Sequence, residues 1–279
     1  MPAESTTRHI TSPQNARIKA LRRALSSGEL ADGLCGLDSE HLVLEAARSD
    51  LAIDTLLISH SRAQRDSSAY NISAREMLIV ADDVFRSVVT TEHPQGVAAL
   101  ARAPQWQPDP ILSAQRALVI VLAGIQDPGN CGTIIRSAEA FGAAAVIPLR
   151  GTVSEWNPKT MRASSGSIFR LPVLHLADDP VAELRRHGFT LVGAAARSSV
   201  SADQTDLTRK IALVIGNEGA GLTRALLSQL DSTLRIPHSS AVESLNAGIA
   251  ASILLYEAHR QRTIANGGIS PKATKEVRA

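Results

Sequence analysis

The feature that most limits how this chain folds is a series of short, almost wholly apolar runs in its C-terminal half. The first run, residues 117–122 (ALVIVL), is typical of a strand that is buried on both faces. Further strands are predicted at residues 144–148, 190–194, 211–215 and 234–237. Because helical segments separate them, the pattern predicts an α/β domain with a mostly parallel sheet covered by helices.

Two helices of this domain are clearly marked. One is predicted from about Gly132 to Phe141, is closed by Gly142, and buries a stripe that includes Ile134. A long C-terminal helix is predicted over about residues 244–262, and apolar residues on two of its faces indicate contacts with the core and with a second subunit. Ser240 and Glu243 have the spacing of a capping box at its start. Residues 263–279 are predicted to be a disordered tail.

A smaller α/β or α+β domain is predicted over residues 1–103. Residues 15–26 have the apolar spacing of an amphipathic helix. Short apolar segments that indicate strands lie at residues 42–44, 55–58, 77–80 and 96–100. Three prolines within residues 103–110 argue against a helix or a central strand, so residues 104–115 are interpreted as a linker. The larger domain then spans residues 116–262.

Composition excludes several classes of protein. No run approaches the roughly 18 apolar residues of a membrane span, and the first residues lack the apolar core of a signal peptide. The two cysteines, Cys35 and Cys131, are too few and too far apart for a disulfide framework or a metal site. The sequence therefore predicts a cytoplasmic protein with no metal and no membrane partner.

Basic residues are clustered although the net charge is only +2. A basic patch binds phosphate through counterion release, so the clusters supply candidate RNA contacts. These candidates are Arg17, Lys19, Arg22, Arg23 and Arg162. From charge alone, a solvated helix face is an equally good interpretation. Aromatic residues make up 3% of the chain, which argues against base stacking as the main mode of RNA binding.

Three polar loops follow predicted strands at the edge where open α/β sheets bind ligands. In the first, QDPGNCG, Asn130 can offer its amide to a ligand or cap the next helix, and Arg136 should point away from that helix's buried stripe. The second, GNEGAGL, has three glycines but lacks the dinucleotide fingerprint. In the third, Ser244 and Asn246 are polar residues without an obvious structural role. Helix capping and surface charge remain alternative explanations for the first loop.

In this order the segments PGNCGTIIRSAEAFGA, LVIGNEGAGL and IPHSSAVESLNAGIAASILLYE resemble the SpoU (TrmH-like) branch of the SPOUT methyltransferases. The resemblance covers roughly residues 116–260, and the intervening MRASSGSIFRLPV is similar to the ribosomal-RNA enzymes of that family. More loosely, ITSPQNARIKALRRAL and TEHPQGVAAL resemble the family's N-terminal substrate-binding domain, which has an L30e-like fold.

The resemblance implies a deep trefoil knot in the C-terminal part of the sheet. It also implies that S-adenosylmethionine is the methyl donor, bound by main chain of the second and third motifs. A homodimer is implied, paired through the first- and last-motif helices, with each site drawing residues from both subunits. The implied donor-binding residues are Ala194, Ala195, Gly216, Asn217, Glu218, Gly219, Ile236 and Leu245.

The implied reaction is methyl transfer to a ribose 2′-hydroxyl, and the implied catalytic residues are Asn130, Arg136, Ser244 and Asn246. Because a guanidinium stays protonated at neutral pH, we expect Arg136 to hold a phosphate and stabilise developing alkoxide charge. Ser244 and Asn246 would position the hydroxyl. Cys131 stands where the family more often has an aliphatic residue, and we expect a buried small side chain there rather than a nucleophile.

Ribosomal RNA is the expected substrate because of the separate N-terminal domain. A transfer-RNA methyltransferase is the alternative within the family, and an antibiotic-resistance enzyme is also open. Outside it, one alternative is an RNA- or ribosome-binding protein without catalysis, which the four implied catalytic residues disfavour. The other is a nucleotide-dependent oxidoreductase, which the missing fingerprint disfavours.

Overall fold

The computed structural model describes residues 7–65, 71–177, 179–239 and 242–267, which form two compact units. The first contains the residues up to Trp106 together with Gln126–Arg136 and Val153–Val173. The second contains Gln107–Ile125, Ser137–Thr152 and the residues from Leu174 onward. The predicted boundaries at residues 103 and 116 stay a prediction.

The first unit is built on a five-stranded sheet. Its strands are β1 (Thr7–Ile10), β2 (Leu34–Leu37), β3 (Ile53–Ser59), β4 (Glu76–Val80) and β5 (Val97–Arg102). Their order is β1-β4-β3-β5-β2; β1, β4 and β3 are parallel, whereas β5 runs antiparallel to β3 and β2. The helices of this part of the chain are α1 (Ala16–Ser27), α2 (Glu40–Arg48), α3 (His60–Arg65) and α4 (Asp82–Arg86).

Sequence and structure agree on α1, β3, β4 and β5, and they differ at β1, which was not predicted, at residues 42–44 and at β2. Helix α1 is confirmed, with Asn15 capping it by accepting a hydrogen bond from the Arg17 N–H (2.8 Å). The strand predicted at residues 42–44 is wrong, because those residues lie within α2. The Ser39 hydroxyl caps that helix, and Leu42 lies on its buried face. The strand β2 was not predicted, since its four residues show no alternation and are all buried.

The second unit contains the parallel sheet that the apolar runs predict. Its strands are β6 (Leu118–Ala123), β7 (Ala145–Pro148), β8 (Thr190–Ala194), β9 (Ile211–Gly216) and β10 (Ser232–Leu234). They are ordered β10-β8-β9-β6-β7, and every pair is parallel. The α/β class with a parallel sheet is therefore confirmed. The trefoil knot stays a prediction.

Three helices in this half of the chain differ from the prediction. The remaining helices are α5 (Pro108–Leu112), α6 (Pro128–Ala140), α7 (Pro158–Ser164), α8 (Pro180–Arg186), α9 (Arg224–Leu227) and α10 (Ala247–Ala265). Helix α5 lies inside the predicted linker, because proline is well tolerated in the first turn of a helix. Helix α6 begins four residues before Gly132, since Asp127 caps it by accepting from the Asn130 N–H (2.7 Å). Asn130 therefore lies in the first turn and is not the cap.

Helix α10 starts later and ends later than predicted. Asn246 is its N-cap and accepts a hydrogen bond from the Ile249 N–H (3.2 Å), so the helix begins at Ala247. Ser240 of the predicted capping box lies outside the described residues, as does the predicted tail from residue 268 onward. No helix in the described ranges has the length and apolarity needed to cross a bilayer.

The C-terminal end of α10 is fastened by one arginine. The guanidinium of Arg262 donates to the carbonyls of Leu207 (2.9 Å), Arg116 (2.5 Å) and Arg209. These carbonyls belong to the segments that lead into β9 and β6. Arg262 thereby ties α10 to the same sheet whose strands end at the site described below.

We predict that Arg262→Gln lowers the free energy of unfolding by about 1–3 kcal/mol, because several main-chain carbonyls lose a charged donor. The matched control is Arg186→Gln, whose side chain is 70% exposed and pairs with Glu183. We expect the control to change stability by less than about 1 kcal/mol. Urea denaturation followed by circular dichroism measures both, and equal effects would contradict this role of Arg262.

Candidate functional site

A cavity of about 480 Å³ lies at the carboxyl ends of β8, β9 and β10, beside the start of α10. Parallel α/β sheets bind ligands at this edge. The cavity is lined by Ala194, Ala195, Ala196, Arg197, Ile215, Gly216, Asn217, Glu218, Gly219, Ala220, Gly221, Leu222, Leu227, Leu234, Arg235, Ile236, His238, Ser244, Leu245, Ala247 and Ala250. Its lining is therefore mostly small or aliphatic, with a few charged groups.

Asn217 closes the loop that follows β9. Its main chain exchanges two hydrogen bonds with Gly221, at 3.1 and 2.9 Å. Its side-chain oxygen accepts from the N–H groups of Gly219 (2.9 Å) and Ala220 (3.1 Å), and its amide NH₂ donates to the Gly124 carbonyl (2.9 Å). The side chain of Asn217 thus stabilises the shape of the loop and fixes the loop to the end of β6.

The glycines of this loop have different physical roles. A Cβ on Gly216 would lie 2.4 Å from the Gly221 carbonyl carbon and 2.7 Å from the Leu222 nitrogen, so main chain passes directly over main chain. Gly221 has a φ of +64°, a conformation that favours glycine. At Gly219 the nearest atom to a Cβ would be 3.7 Å away, an ordinary contact. The loop therefore requires glycine at 216 and favours it at 221.

The opposite wall of the cavity is formed where the chain after β8 meets the chain around β10. The Ala195 N–H donates to the Leu234 carbonyl (2.9 Å). Arg235 bonds through its own N–H to the Val200 carbonyl and through its carbonyl to the Ala202 N–H, both at 2.9 Å. Ser198 adds a side-chain bond to the Thr233 carbonyl (2.8 Å). Both segments are therefore held by main-chain pairing beyond the strands.

The structure brings the predicted donor-binding residues together around one cavity. All eight of them line it, and Ser244 of the predicted catalytic set lines it as well. Asn246 is exposed at the N-terminus of α10, where it caps the helix. The expectation that Asn246 has no structural role is wrong, because its side-chain oxygen accepts a helix N–H. Its amide NH₂ still faces away from that bond.

Asn130 and Arg136 lie on α6, in the first unit. Asn130 is half-buried and Arg136 is exposed, as the helical periodicity predicts. Cys131 is 2% exposed and forms no disulfide, which agrees with its interpretation as a buried small side chain. Gly132 does not form a turn: a Cβ there would lie 2.4 Å from the Thr160 carbonyl oxygen, so it permits close packing of α6 on α7.

Two of the predicted RNA-contacting arginines are ion-paired within the first unit. Arg17 pairs with Glu76 (3.0 Å) and Asp54 (3.2 Å). Burial would raise the pKa of Asp54, but hydrogen bonds from Thr55 and Arg75 and the charge of Arg17 lower it overall, so the pair stays ionised. These acids neutralise Arg17, which weakens it as a phosphate contact.

Arg162 is held in the same way. Its guanidinium lies 2.5 Å from the carboxylate of Asp38, whose side chain is only 1% exposed. Of the other candidates, Arg22 donates to the Ser87 hydroxyl (3.2 Å), while Lys19 and Arg23 are exposed. RNA contact by this set stays a prediction, and Lys19 and Arg23 are its best-placed members.

Three ionisable residues that line the cavity beside Glu218 were not predicted from the sequence: Arg197, Arg235 and His238. Their position just beyond the ends of β8 and β10 was the available signal. A separate group in the second unit, Asp109, Glu183 and His187, places its ligand atoms within 4.8 Å of one another. His187 lies near both carboxylates, and Glu183 also pairs with Arg186 at 2.5 Å, so local ion pairing accounts for the group.

The fold and cavity define an α/β protein that binds a ligand at the carboxyl edge of a parallel sheet. Residues 117–256 match the model of the SpoU rRNA Methylase family. Residues 40–107 match a model described as RNA 2′-O ribose methyltransferase substrate binding. The first match covers the three loop motifs, and the second covers TEHPQGVAAL but not residues 10–25, the other N-terminal segment of the resemblance.

Named relatives agree with these matches. The chain is 33% identical over 252 residues to the 23S rRNA (guanosine(2553)-2′-O)-methyltransferase RlmP of Bacillus subtilis (strain 168), covering 89% of this chain and 98% of that relative. The SpoU methyltransferase AviRb from Streptomyces viridochromogenes, solved in complex with AdoMet, is 30% identical with a TM-score of 0.77, covering 89% of this chain and 98% of its own. An AdoMet-bound rRNA methyltransferase from Sinorhizobium meliloti is 26% identical, with a TM-score of 0.76 and coverage of 91% and 98%.

The chain therefore belongs to the SpoU rRNA methylase family. This confirms the family expected from the three loop motifs. It also confirms the enzyme class, an RNA 2′-O-ribose methyltransferase, and is inconsistent with the oxidoreductase alternative.

We predict that Gly216→Ala lowers the free energy of unfolding by about 1–3 kcal/mol, because a Cβ would force apart the crossing main chain. Gly219→Ala is the matched control in the same loop, and its Cβ has room, so we expect a change below about 1 kcal/mol. Thermal unfolding of the two variants measures the difference. A larger loss for Gly219→Ala would contradict this account of the loop.

Proposed function

We propose that this chain transfers a methyl group from S-adenosylmethionine to a ribose 2′-hydroxyl of ribosomal RNA. The observation that carries the proposal is the cavity at the carboxyl ends of β8, β9 and β10, lined by all eight residues expected to hold the donor. Relatives support it: one is named as a 23S rRNA 2′-O-methyltransferase, and two similar structures were solved with AdoMet.

The cavity fits such a donor in size and chemistry. About 480 Å³ is within the range of small-ligand sites. Aliphatic side chains such as Leu222 and Ile236 suit the flat faces of an adenine, and exposed main chain of the 216–221 loop supplies polar groups. Glu218 brings a negative charge to a site for a cationic ligand. When bound, the donor supplies a methyl group bonded to a positively charged sulfur, and this sulfur is a good leaving group because it departs as a neutral thioether.

Ser244 and Asn246 are proposed to orient the ribose hydroxyl. Ser244 lines the cavity with a hydroxyl that can accept or donate. Asn246 is fixed by its capping bond to Ile249, which leaves its NH₂ to donate. The helix end is a rigid base for Asn246, and Ser244 lies two residues before it; rigid placement is what orientation of a nucleophile requires.

Arg136 is proposed to hold a substrate phosphate and stabilise negative charge, and Asn130 to assist on the same helix. The Arg136 side chain is exposed on α6, and it has neither a hydrogen bond nor an ion pair with the residues that the structure describes. This distinguishes it from Arg17 and Arg162, which are paired with acids. A planar guanidinium can bind a phosphate through two parallel hydrogen bonds.

Ribosomal RNA is preferred to transfer RNA as the substrate. The family model over residues 117–256 names rRNA, and the relative with 98% of its length covered is named as a 23S rRNA enzyme. We also infer a cytoplasmic location, since that is where such a substrate is found. Other relatives are named as tRNA/rRNA methyltransferases, so transfer RNA belongs in the test.

We infer a homodimer from the outer face of α10. Ile249, Ile253, Tyr256 and Ile264 are between 40% and 57% exposed and fall on one side of the helix. Tyr256 also packs edge-on against Phe141, at 5.7 Å between ring centroids. A row of large exposed apolar side chains is typical of a subunit interface, and a second copy of the chain is its proposed partner.

The function is tested with purified protein, radiolabelled S-adenosylmethionine, and deproteinised ribosomal and transfer RNA. We expect label in 2′-O-methylnucleosides of ribosomal RNA. We expect Arg136→Lys to reduce the rate about ten-fold or more, because an ammonium lacks the planar fork. Arg209→Lys, the same change at an exposed arginine paired with Asp206, is the control.

Label in transfer RNA alone would contradict the proposed substrate. Donor binding without any transfer would favour a non-catalytic RNA-binding protein. An Arg136→Lys variant as active as the Arg209→Lys control would contradict two-point phosphate binding by Arg136.

The dimer is tested by Ile253→Asp, which places a charge in the middle of the α10 face. We expect the wild-type chain to sediment as a dimer and the variant mainly as a monomer, because burying an unpaired carboxylate is costly. Leu44→Asp is the control, since Leu44 is 36% exposed and lies on α2, in the first unit. A monomeric wild type, or an unchanged Ile253→Asp dimer, would contradict the inference.

A further inference from the structure

The donor cavity carries more positive charge than the motifs account for. Its ionisable lining consists of one acid, Glu218, two arginines, Arg197 and Arg235, and His238. None of the last three belongs to the residues expected to hold the donor or to act on the ribose. Two guanidinium groups at one small cavity suggest an anionic group in its ligand.

The main chain that carries both arginines is fixed. Arg235 is bonded on both sides, through its N–H to Val200 and through its carbonyl to Ala202. Arg197 lies in a tight turn, closed by the hydrogen bond from the Ser198 N–H to the Ala195 carbonyl (3.0 Å). The turn is anchored in addition by the Ser198 hydroxyl on Thr233. The two side chains therefore start from one clamped pair of segments beside the cavity.

These arginines differ from four others in the second unit. Arg185, Arg186, Arg209 and Arg260 each pair with a carboxylate at 3.1 Å or less. Arg197 and Arg235 have no carboxylate within ion-pair distance among the residues that the structure describes. A cation that lines a cavity without an acid partner in the fold is available to a ligand.

Asp203 is affected by the charge of Arg235 but forms no ion pair with it among the described residues. The pKa of Asp203 is lowered first by hydrogen bonds from Ser201 and from its own main chain, and only then by the charges of Arg235 and Arg260. Asp203 is thus stabilised mainly by its own surroundings. Within the described ranges, the guanidinium of Arg235 has no hydrogen bond to Asp203 or to another residue.

We propose that Arg197 and Arg235 bind the α-carboxylate of the methionine part of the methyl donor. This inference rests on the proposed function, since it assigns one end of the same ligand. The carboxylate is the only anionic group of S-adenosylmethionine, and guanidinium groups bind carboxylates through short, charge-assisted hydrogen bonds. Glu218 then faces the cationic part of the ligand, so the charges of cavity and donor complement each other.

A carboxylate fits these residues better than an RNA phosphate does. Arg197 and Arg235 line the same cavity as the eight donor-binding residues, and the wall that carries them is continuous with Ala194 and Ala195. A ligand in this cavity is therefore the molecule whose anionic group the two arginines would contact. Binding to RNA phosphate is the rival outcome that the experiment distinguishes.

The test is isothermal titration calorimetry of the full chain, without RNA, using S-adenosylmethionine and its decarboxylated analogue. The analogue lacks only the carboxylate. We expect wild-type protein to bind S-adenosylmethionine about ten-fold or more tightly than the analogue. In Arg197→Gln/Arg235→Gln the preference should fall to about two-fold or less, because the natural donor weakens while the analogue does not.

Three further variants keep the result interpretable. Arg197→Gln alone should lose part of the preference even if the double variant unfolds. Arg197→Lys should recover part of it, because the charge is restored. Arg209→Gln, which removes a charge outside the cavity lining, should leave the preference unchanged.

Each other outcome would overturn the proposal. If the wild type bound both ligands with equal affinity, or if the variants lost the same affinity for both, the arginines would not be specific for the carboxylate. Variants with unchanged donor affinity but weaker, less salt-dependent RNA binding would assign them to phosphate. A wild type that binds neither ligand would overturn the proposed function itself, whereas equal binding of both would leave that function standing.

Discussion

The crossing of main chain over main chain at Gly216 is the constraint on which the cavity depends. A side chain there would collide with the carbonyl of Gly221, so the loop after β9 closes only with glycine at that position. Asn217 then fixes the closed loop, by bonding Gly219, Ala220 and the end of β6. The floor of the cavity is thus made of backbone whose position is set before any ligand binds, and such preorganisation lowers the cost of binding.

The distribution of arginines separates residues that hold the fold from residues available to ligands. Arg17, Arg162 and Arg262 are committed to carboxylates or main-chain carbonyls. Arg136 is exposed on α6, and Arg197 and Arg235 line the cavity at the carboxyl ends of β8, β9 and β10. Although the net charge is only +2, some arginines are not paired with acids in the part of the fold that the structure describes. These arginines provide local positive charge that can attract anionic ligands.

Much of the second unit and of its site could be predicted from the sequence, and the first unit less so. Strands such as β6 and β9 are continuous apolar runs because both faces are buried, which makes them visible in the sequence. Residues 42–44 were wrongly predicted to be a strand, since three apolar residues fit a buried helix face as well as a strand. The loop motifs indicated Gly216 and Ser244 through resemblance. They did not show that glycine is required at 216 because main chain crosses main chain there.

By itself the sequence determined the alternation of apolar runs and helices, and hence the parallel sheet, together with the loops that carry the chemistry. Only the tertiary structure decided which polar side chains are consumed by the fold. Asn246 caps α10, Arg17 is neutralised by Glu76, and Arg197 meets Arg235 at the same cavity. The physical reason is the distance along the sequence over which each feature is determined. Apolar periodicity depends on neighbouring residues. The partner of a charged side chain is a residue far away in the chain that folding brings within a few ångströms.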